Sequence, residues 1–118
     1  MKTILITEDN DSNYLLMTYI LKNKYNYVRA TDGQNAVDMV RKGGIDLVLM
    51  DLKMPMMDGL TATRLIKHDF PLLPVVAVTA NAFETDRETA LSAGCDDFLS
   101  KPVSSEVCLR MIAKYVGE

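Results

Sequence analysis

Apolar runs of only four or five residues, separated by longer stretches of helical period, constrain this chain more than any other feature. Thr3-Ile4-Leu5-Ile6-Thr7, Leu47-Val48-Leu49-Met50 and Pro74-Val75-Val76-Ala77-Val78 are almost continuously apolar. Strands read that way when helices cover both faces of a sheet, because side chains on either side then meet apolar surface. Asn26-Tyr27-Val28-Arg29-Ala30 alternates polar and apolar residues, which suits an edge strand, and Asp97-Phe98-Leu99-Ser100 offers a short fifth strand. Strand followed by helix, repeated five times, predicts an α/β fold: a doubly wound parallel sheet with right-handed crossovers.

The intervening segments carry helix signals. From about Asp11 to Lys22, Leu16 and Ile20 share one helical row with Leu15 and Tyr19 beside it, and Asn10, Asp11 and Ser12 offer capping oxygens. Asp32-Gly33 opens a second helix through Ala36, Val37 and Val40, which ends at Gly43-Gly44. A third follows Gly59, with Ala62 and Ile66 four apart, and closes before Phe70-Pro71. A fourth runs from about Phe83 to Ser92 and stops at Gly94, with Glu84, Asp86, Arg87 and Glu88 making it conspicuously polar. The fifth starts near Ser104 and carries two adjacent rows, Val107, Met111 and Tyr115 beside Cys108, Ile112 and Val116; core packing is the simplest account of that width.

With 118 residues the chain reads as one domain, 1–118, able to bury about 65% of its unfolded surface. A formal charge of −3 and scattered Lys and Arg argue against a nucleic-acid surface, which needs a basic stripe. No apolar stretch approaches the ~20 residues of a membrane span, and the amino terminus does not read as the basic and apolar regions of a signal peptide, so a cytoplasmic setting is expected. Cys95 and Cys108 have neither Cys-x-x-Cys nor zinc spacing with the lone His68, and read as reduced structural thiols.

Chemistry enters at the strand ends. The first run ends in Glu8-Asp9 and the third in Asp51, so neighbouring strands would gather three carboxylates at one sheet edge. Like charges ~4 Å apart repel by about 4 kcal/mol per pair at an effective dielectric near 20. A raised pKa or a bound cation relieves that repulsion, and all-oxygen ligands with room for water and phosphate suit Mg²⁺. Asp51 is the candidate nucleophile, since a carboxylate can attack phosphorus. Asp9 and Asp51 would hold the ion directly and Glu8 through water. Lys101 would place a point charge opposite the metal, and Thr79 would offer a hydroxyl to a phosphoryl oxygen. Taken singly, Asp51 reads as a turn former, Lys101 as a solvated charge and Thr79 as a strand-end residue. Their common placement at the carboxyl ends of strands, where doubly wound sheets bind ligands, makes them one site.

Glu8-Asp9, the stretch Asp51 to Gly59 with Met54-Pro55, Thr79-Ala80 and Lys101-Pro102 together resemble the receiver domains of two-component response regulators, over essentially the whole chain. The resemblance implies a flavodoxin-like sheet of order 2-1-3-4-5 with five helices. It also implies Mg²⁺-dependent phosphoryl transfer to Asp51 from a histidine kinase or histidine phosphotransfer domain, followed by slow self-catalysed hydrolysis. The backbone carbonyl of Lys53 is then a metal ligand beside Glu8, Asp9 and Asp51. Phe98 matches the switch aromatic that turns inward when the Thr79 hydroxyl moves, passing the signal to the face of the fourth helix, fifth strand and fifth helix. Many family members have Tyr there, and Phe lacks its hydroxyl.

Glu8-Asp9-Asn10 with Asn13, Thr79-Ala80-Asn81-Ala82-Phe83 and Ala93-Gly94-Cys95-Asp96-Asp97-Phe98 look like receivers fused to hybrid histidine kinases. Asn13, Tyr14 and Leu15 stand where the family meets a helical phosphodonor, and pairing with a second copy is left open. Three other functions compete. A receiver-shaped interaction module would signal without phosphate. An FMN-binding flavodoxin-like protein is disfavoured by acids in the first loop. A haloacid-dehalogenase-like phosphatase is disfavoured by Lys53, where its acid-base Asp would stand.

Overall fold

In the computed structural model the chain runs β1 (Thr3–Thr7), α1 (Asp11–Leu21), β2 (Asn26–Ala30), α2 (Gly33–Lys42), β3 (Leu47–Asp51), α3 (Gly59–Asp69), β4 (Val75–Thr79), α4 (Glu84–Ser92), β5 (Asp97–Ser100) and α5 (Ser105–Val116). The structure describes residues 1–54, 56–80 and 84–117, and within α4 the side chains from Arg87 onward. The expected helix start at Phe83, the Asn81-Ala82-Phe83 match and Pro55 lie outside the described residues.

The strands pair in parallel in the order β2-β1-β3-β4-β5, the flavodoxin-like arrangement, with the alternating strand β2 at one edge. Successive side chains point to opposite faces, which divides the core in two. Ile4, Ile6, Leu47, Leu49, Val76 and Val78 pack with Met17, Ile20 and Leu21 of α1 and Cys108 and Ile112 of α5. Leu5, Val48, Met50, Val75 and Ala77 pack with Val37 and Val40 of α2 and Ala62 and Ile66 of α3. Both Cys95 and Cys108 are buried free thiols.

Caps fix where the helices start. Asn10, Asp32 and Asp58 each accept the backbone N–H three residues on, at 3.0, 2.8 and 2.8 Å, and Ser104 accepts that of Val107 at 3.4 Å. Gly59 is required by a close approach: a Cβ there would collide with the Asp51 carbonyl. The start of α3 is thereby seated directly on the end of β3.

The sheet decides which apolar residues of α1 and α5 are buried. In α1 the row of Leu15, Leu16 and Tyr19 lies in solvent, at 63, 46 and 70% exposure, while Met17, Ile20 and Leu21 are buried. Almost every position from Tyr14 to Leu21 is apolar, so the pattern lacks the contrast that would select a face, and the sheet selects it instead. In α5 Cys108 and Ile112 are fully buried and Met111, Tyr115 and Val116 pack against the same core, so core packing accounts for the width of the apolar face except at Val107, which is exposed.

Candidate functional site

The sheet brings the ends of β1, β3 and β5 to one edge. Thr7 lies beside Met50, so Glu8 and Asp9, just past β1, stand next to Asp51, the last residue of β3. Glu8, Asp9 and Asp51 each present a carboxylate oxygen within 4.8 Å of the others. Ligands on opposite sides of a hard cation at ~2.1–2.4 Å stand about 4.2–4.8 Å apart, so this donor set fits such an ion. Glu8 and Asp51 are buried and Asp9 is exposed, an arrangement open to solvent on one side.

Lys101 reaches the cluster from beyond β5. Its Nζ lies 2.9 Å from Glu8 Oε1 and 3.4 Å from Asp51 Oδ2. The other oxygens are held by the backbone: Asn10 N–H donates to Glu8 Oε2 at 3.3 Å and Lys53 N–H to Asp51 Oδ1 at 3.1 Å. Burial raises the Glu8 carboxyl above its ordinary pKa; Lys101 opposes that shift and the neighbouring Asp51 adds to it. Burial alone would lower the Lys101 ammonium, but the hydrogen bonds and charges of Glu8 and Asp51 outweigh it and the pKa is raised. Lys101 therefore stays charged, and among the described residues it is the one cation paired with the carboxylates of the trio.

The remaining predicted residues are placed as follows. Thr79 is buried at the end of β4, and its carbonyl accepts the Lys101 N–H at 2.8 Å, tying the fourth strand to the lysine. Lys53 is exposed just past Asp51. Phe98 is half-buried in β5, paired with Ala77 and packed against the core shared with α2 and α3, away from the acids. A cavity of about 330 Å³ adjoins the carboxylates, and Glu8, Asp51 and Lys101 share its wall with Asn13, Leu16 and Pro102. His68 is solvent-exposed at the end of α3.

Arg29 belongs to this neighbourhood although the strand pattern marked it only as an edge residue. Its Nε donates to the Glu8 carbonyl at 3.1 Å and its Nη2 lies 2.9 Å from Asp11 Oδ1. Nothing local announces this, because the contact exists only once β2 has paired with β1.

A five-stranded doubly wound sheet with an acid trio and one lysine at its carboxyl edge has the architecture of a phosphorelay receiver. The chain belongs to the response regulator receiver domain family, whose match spans residues 4–113. It is 36% identical to the polar-differentiation response regulator DivK of Brucella anthropi, covering 99% of this chain and 98% of that protein. The receiver domain of the sensor histidine kinase PA1611 from Pseudomonas aeruginosa, solved with magnesium coordinated in its active-site cleft, superposes with a TM-score of 0.92. It is 34% identical, covering 99% of this chain and 98% of that one. The receiver domain of Saccharomyces cerevisiae Ssk1, solved in complex with the histidine phosphotransfer protein Ypd1, also superposes at 0.92, with 31% identity over 98% of this chain and 89% of that one. No helix among the described residues is long and apolar enough to cross a membrane.

Proposed function

We propose that this receiver accepts a phosphoryl group on Asp51 from the phosphohistidine of a kinase or histidine phosphotransfer domain, with Mg²⁺ held by Glu8, Asp9, Asp51 and the Lys53 carbonyl. The observation that carries the reading is the excess of negative charge: three carboxylates within 4.8 Å, two of them buried, against one lysine. When bound, Mg²⁺ supplies the positive charge that offsets this excess and the phosphoryl oxygens.

An Asp51 oxygen forms the new P–O bond as the donor's P–N bond breaks, the electron pair staying on the imidazole. Lys101, already 3.4 Å from Asp51, counters charge on the transferred group, and the Thr79 hydroxyl meets another of its oxygens. The exposed row Leu15, Leu16 and Tyr19 beside Asn13 gives a donor helix an apolar landing next to the acids. Movement of Thr79, passed to Phe98, would carry the signal to the face of α4, β5 and α5, limited by the differential interaction of phosphate with two conformations.

Acetyl phosphate with Mg²⁺, read by intact mass and amide chemical shifts, tests this. Wild type gains one phosphoryl group and Asp51→Asn none; the shifts spread to α4-β5-α5 in wild type and stay local in Thr79→Ala. Failure of wild type to label at saturating donor favours a phosphate-independent interaction module, and unchanged spread in Thr79→Ala removes the switch.

A further inference from the structure

We infer that Arg29, on the edge strand, is a positioning residue that holds the peptide between Glu8 and Asp9 in the orientation a divalent cation needs. The inference rests on the metal site proposed above.

The carbonyl that Arg29 Nε holds at 3.1 Å is the oxygen of the peptide joining the two acids. A peptide is planar, so fixing that oxygen fixes the plane from which Asp9 departs. On the other side of the same residue, Glu8 N–H donates to the Ala30 carbonyl at 3.0 Å. Both backbone polar groups of Glu8 are thus bound to the end of β2, one register step past the last paired residues, Thr7 and Ala30.

Arg29 is itself held. Nη2 lies 2.9 Å from Asp11, and the guanidinium carbon sits 4.4 Å from the centre of the Tyr14 ring. Both partners are in the first turns of α1. The exposed Asp11 pair adds little stability by itself, since such ion pairs are worth ~0–1 kcal/mol. Its value is geometric: a planar fork bonded at two nitrogens and stacked on a ring has one orientation, which a lysine cannot reproduce. Glu8 cannot hold the peptide with its carboxylate, which Lys101 and Asn10 N–H already engage.

Charge and position make opposite predictions, which gives the test its edge. A cation beside a divalent ion repels it, so if Arg29 acted only as a charge, Arg29→Met would bind Mg²⁺ more tightly. If it positions the acids, Arg29→Met and Arg29→Lys both bind more weakly, by about tenfold, the lower end of what is lost when a group supporting a ligand is removed. Mg²⁺ titration by calorimetry measures the affinity. Amide shifts of Asp9 and Asn10 report the peptide directly, and thermal unfolding confirms that both variants fold. The expected result is weaker binding in both, with Asp9 shifts moved before any Mg²⁺ is added. Unchanged or tighter binding in Arg29→Met, or wild-type affinity in Arg29→Lys, overturns the inference. A wild-type protein that does not bind Mg²⁺ instead overturns the proposed metal site.

Discussion

Two lysines meet acids at opposite ends of the same sheet, and they do different jobs. At the amino end, Lys67 Nζ lies 2.9 Å from Asp96 Oδ2 and 2.9 Å from the Leu73 carbonyl, and the same Asp96 oxygen accepts Val75 N–H at 2.9 Å. One cation meets one anion, and neutral backbone groups complete the set. At the carboxyl end Lys101 faces Glu8 and Asp51 with Asp9 beside them. The first arrangement is balanced and closes the start of β4 and β5 against α3. The second retains negative charge that a bound cation, or at lower pH a proton on Glu8, would offset. A lysine–carboxylate contact says little about function until the charges around it are summed.

The widest separation should come from removing each lysine in turn. Lys101→Met is expected to slow labelling by acetyl phosphate by about 10²-fold or more, the usual loss when one donor to a developing charge is removed. Lys67→Met should leave the labelling rate within about twofold. It should instead lower unfolding stability by about 1–2 kcal/mol, less than for a fully buried pair because Asp96 keeps much of its surface in water. Labelling time courses and urea unfolding of the two variants give both numbers. Equal labelling by both proteins would erase the distinction.

What the sequence disclosed follows the same division. Glu8-Asp9 and Asp51 were legible because a charge at the end of a buried strand interrupts an apolar run, and the strands because both sheet faces are covered. The strand order came from resemblance to a family and not from any local pattern. Lys101 pairs with Glu8 across 93 residues, and no local rule gives such a pairing. Arg29 was illegible for the same reason, since its partner carbonyl appears only with the register of β1 and β2. The buried face of α1 was not legible where composition offered no contrast: of the row shared by Leu16 and Ile20, Leu16 lies outward and Ile20 inward. Periodicity reads a face only when the other face is polar.

The second test removes one acid from the unbalanced end. Mg²⁺ at 100 times its dissociation constant should stabilise wild type by about 2.7 kcal/mol, and a tenfold weaker site by about 1.4 kcal/mol at the same concentration. Glu8→Gln is expected to behave like the weaker site while being the more stable protein without metal. The sign with pH follows from burial raising the Glu8 pKa. The folded state keeps a proton that the unfolded chain releases near 4.5, so metal-free stability falls as pH rises above 4.5 and levels off beyond the folded pKa. Glu8→Gln should lose that slope. Thermal unfolding across this window with and without Mg²⁺ checks both expectations, and an unaltered slope would mean that Glu8 is not under strain.

The smallest effect belongs to the balanced end and appears in alkali. Cys95 is 5% exposed, with Sγ 3.8 Å from Thr63 Oγ1, and burial pushes its thiol up to about 11; the opposing pulls of Asp96 and Lys67 are secondary. Burial does the same to Cys108 on the other sheet face, also to about 11. Unfolded thiols release protons near 9.0 while the folded ones keep them, so stability is unaffected below pH 9 and falls as pH rises toward 11. At pH 10 each thiol should account for a loss on the order of 1 kcal/mol. Urea unfolding at pH 8 and pH 10 under reducing conditions measures it, and Cys95→Ala should remove about half of the thiol contribution whatever its effect on absolute stability. Tyr115, pushed up to about 12 by burial and its hydrogen bond to Asp97, adds a loss of the same sign at still higher pH. Native Cys95 should also resist alkylation at pH 8, because the thiolate that reacts is suppressed by the same burial. Rapid alkylation would mean that water reaches the Thr63–Cys95 region, and the contrast between a closed, neutral end of the sheet and an open, charged one would fail.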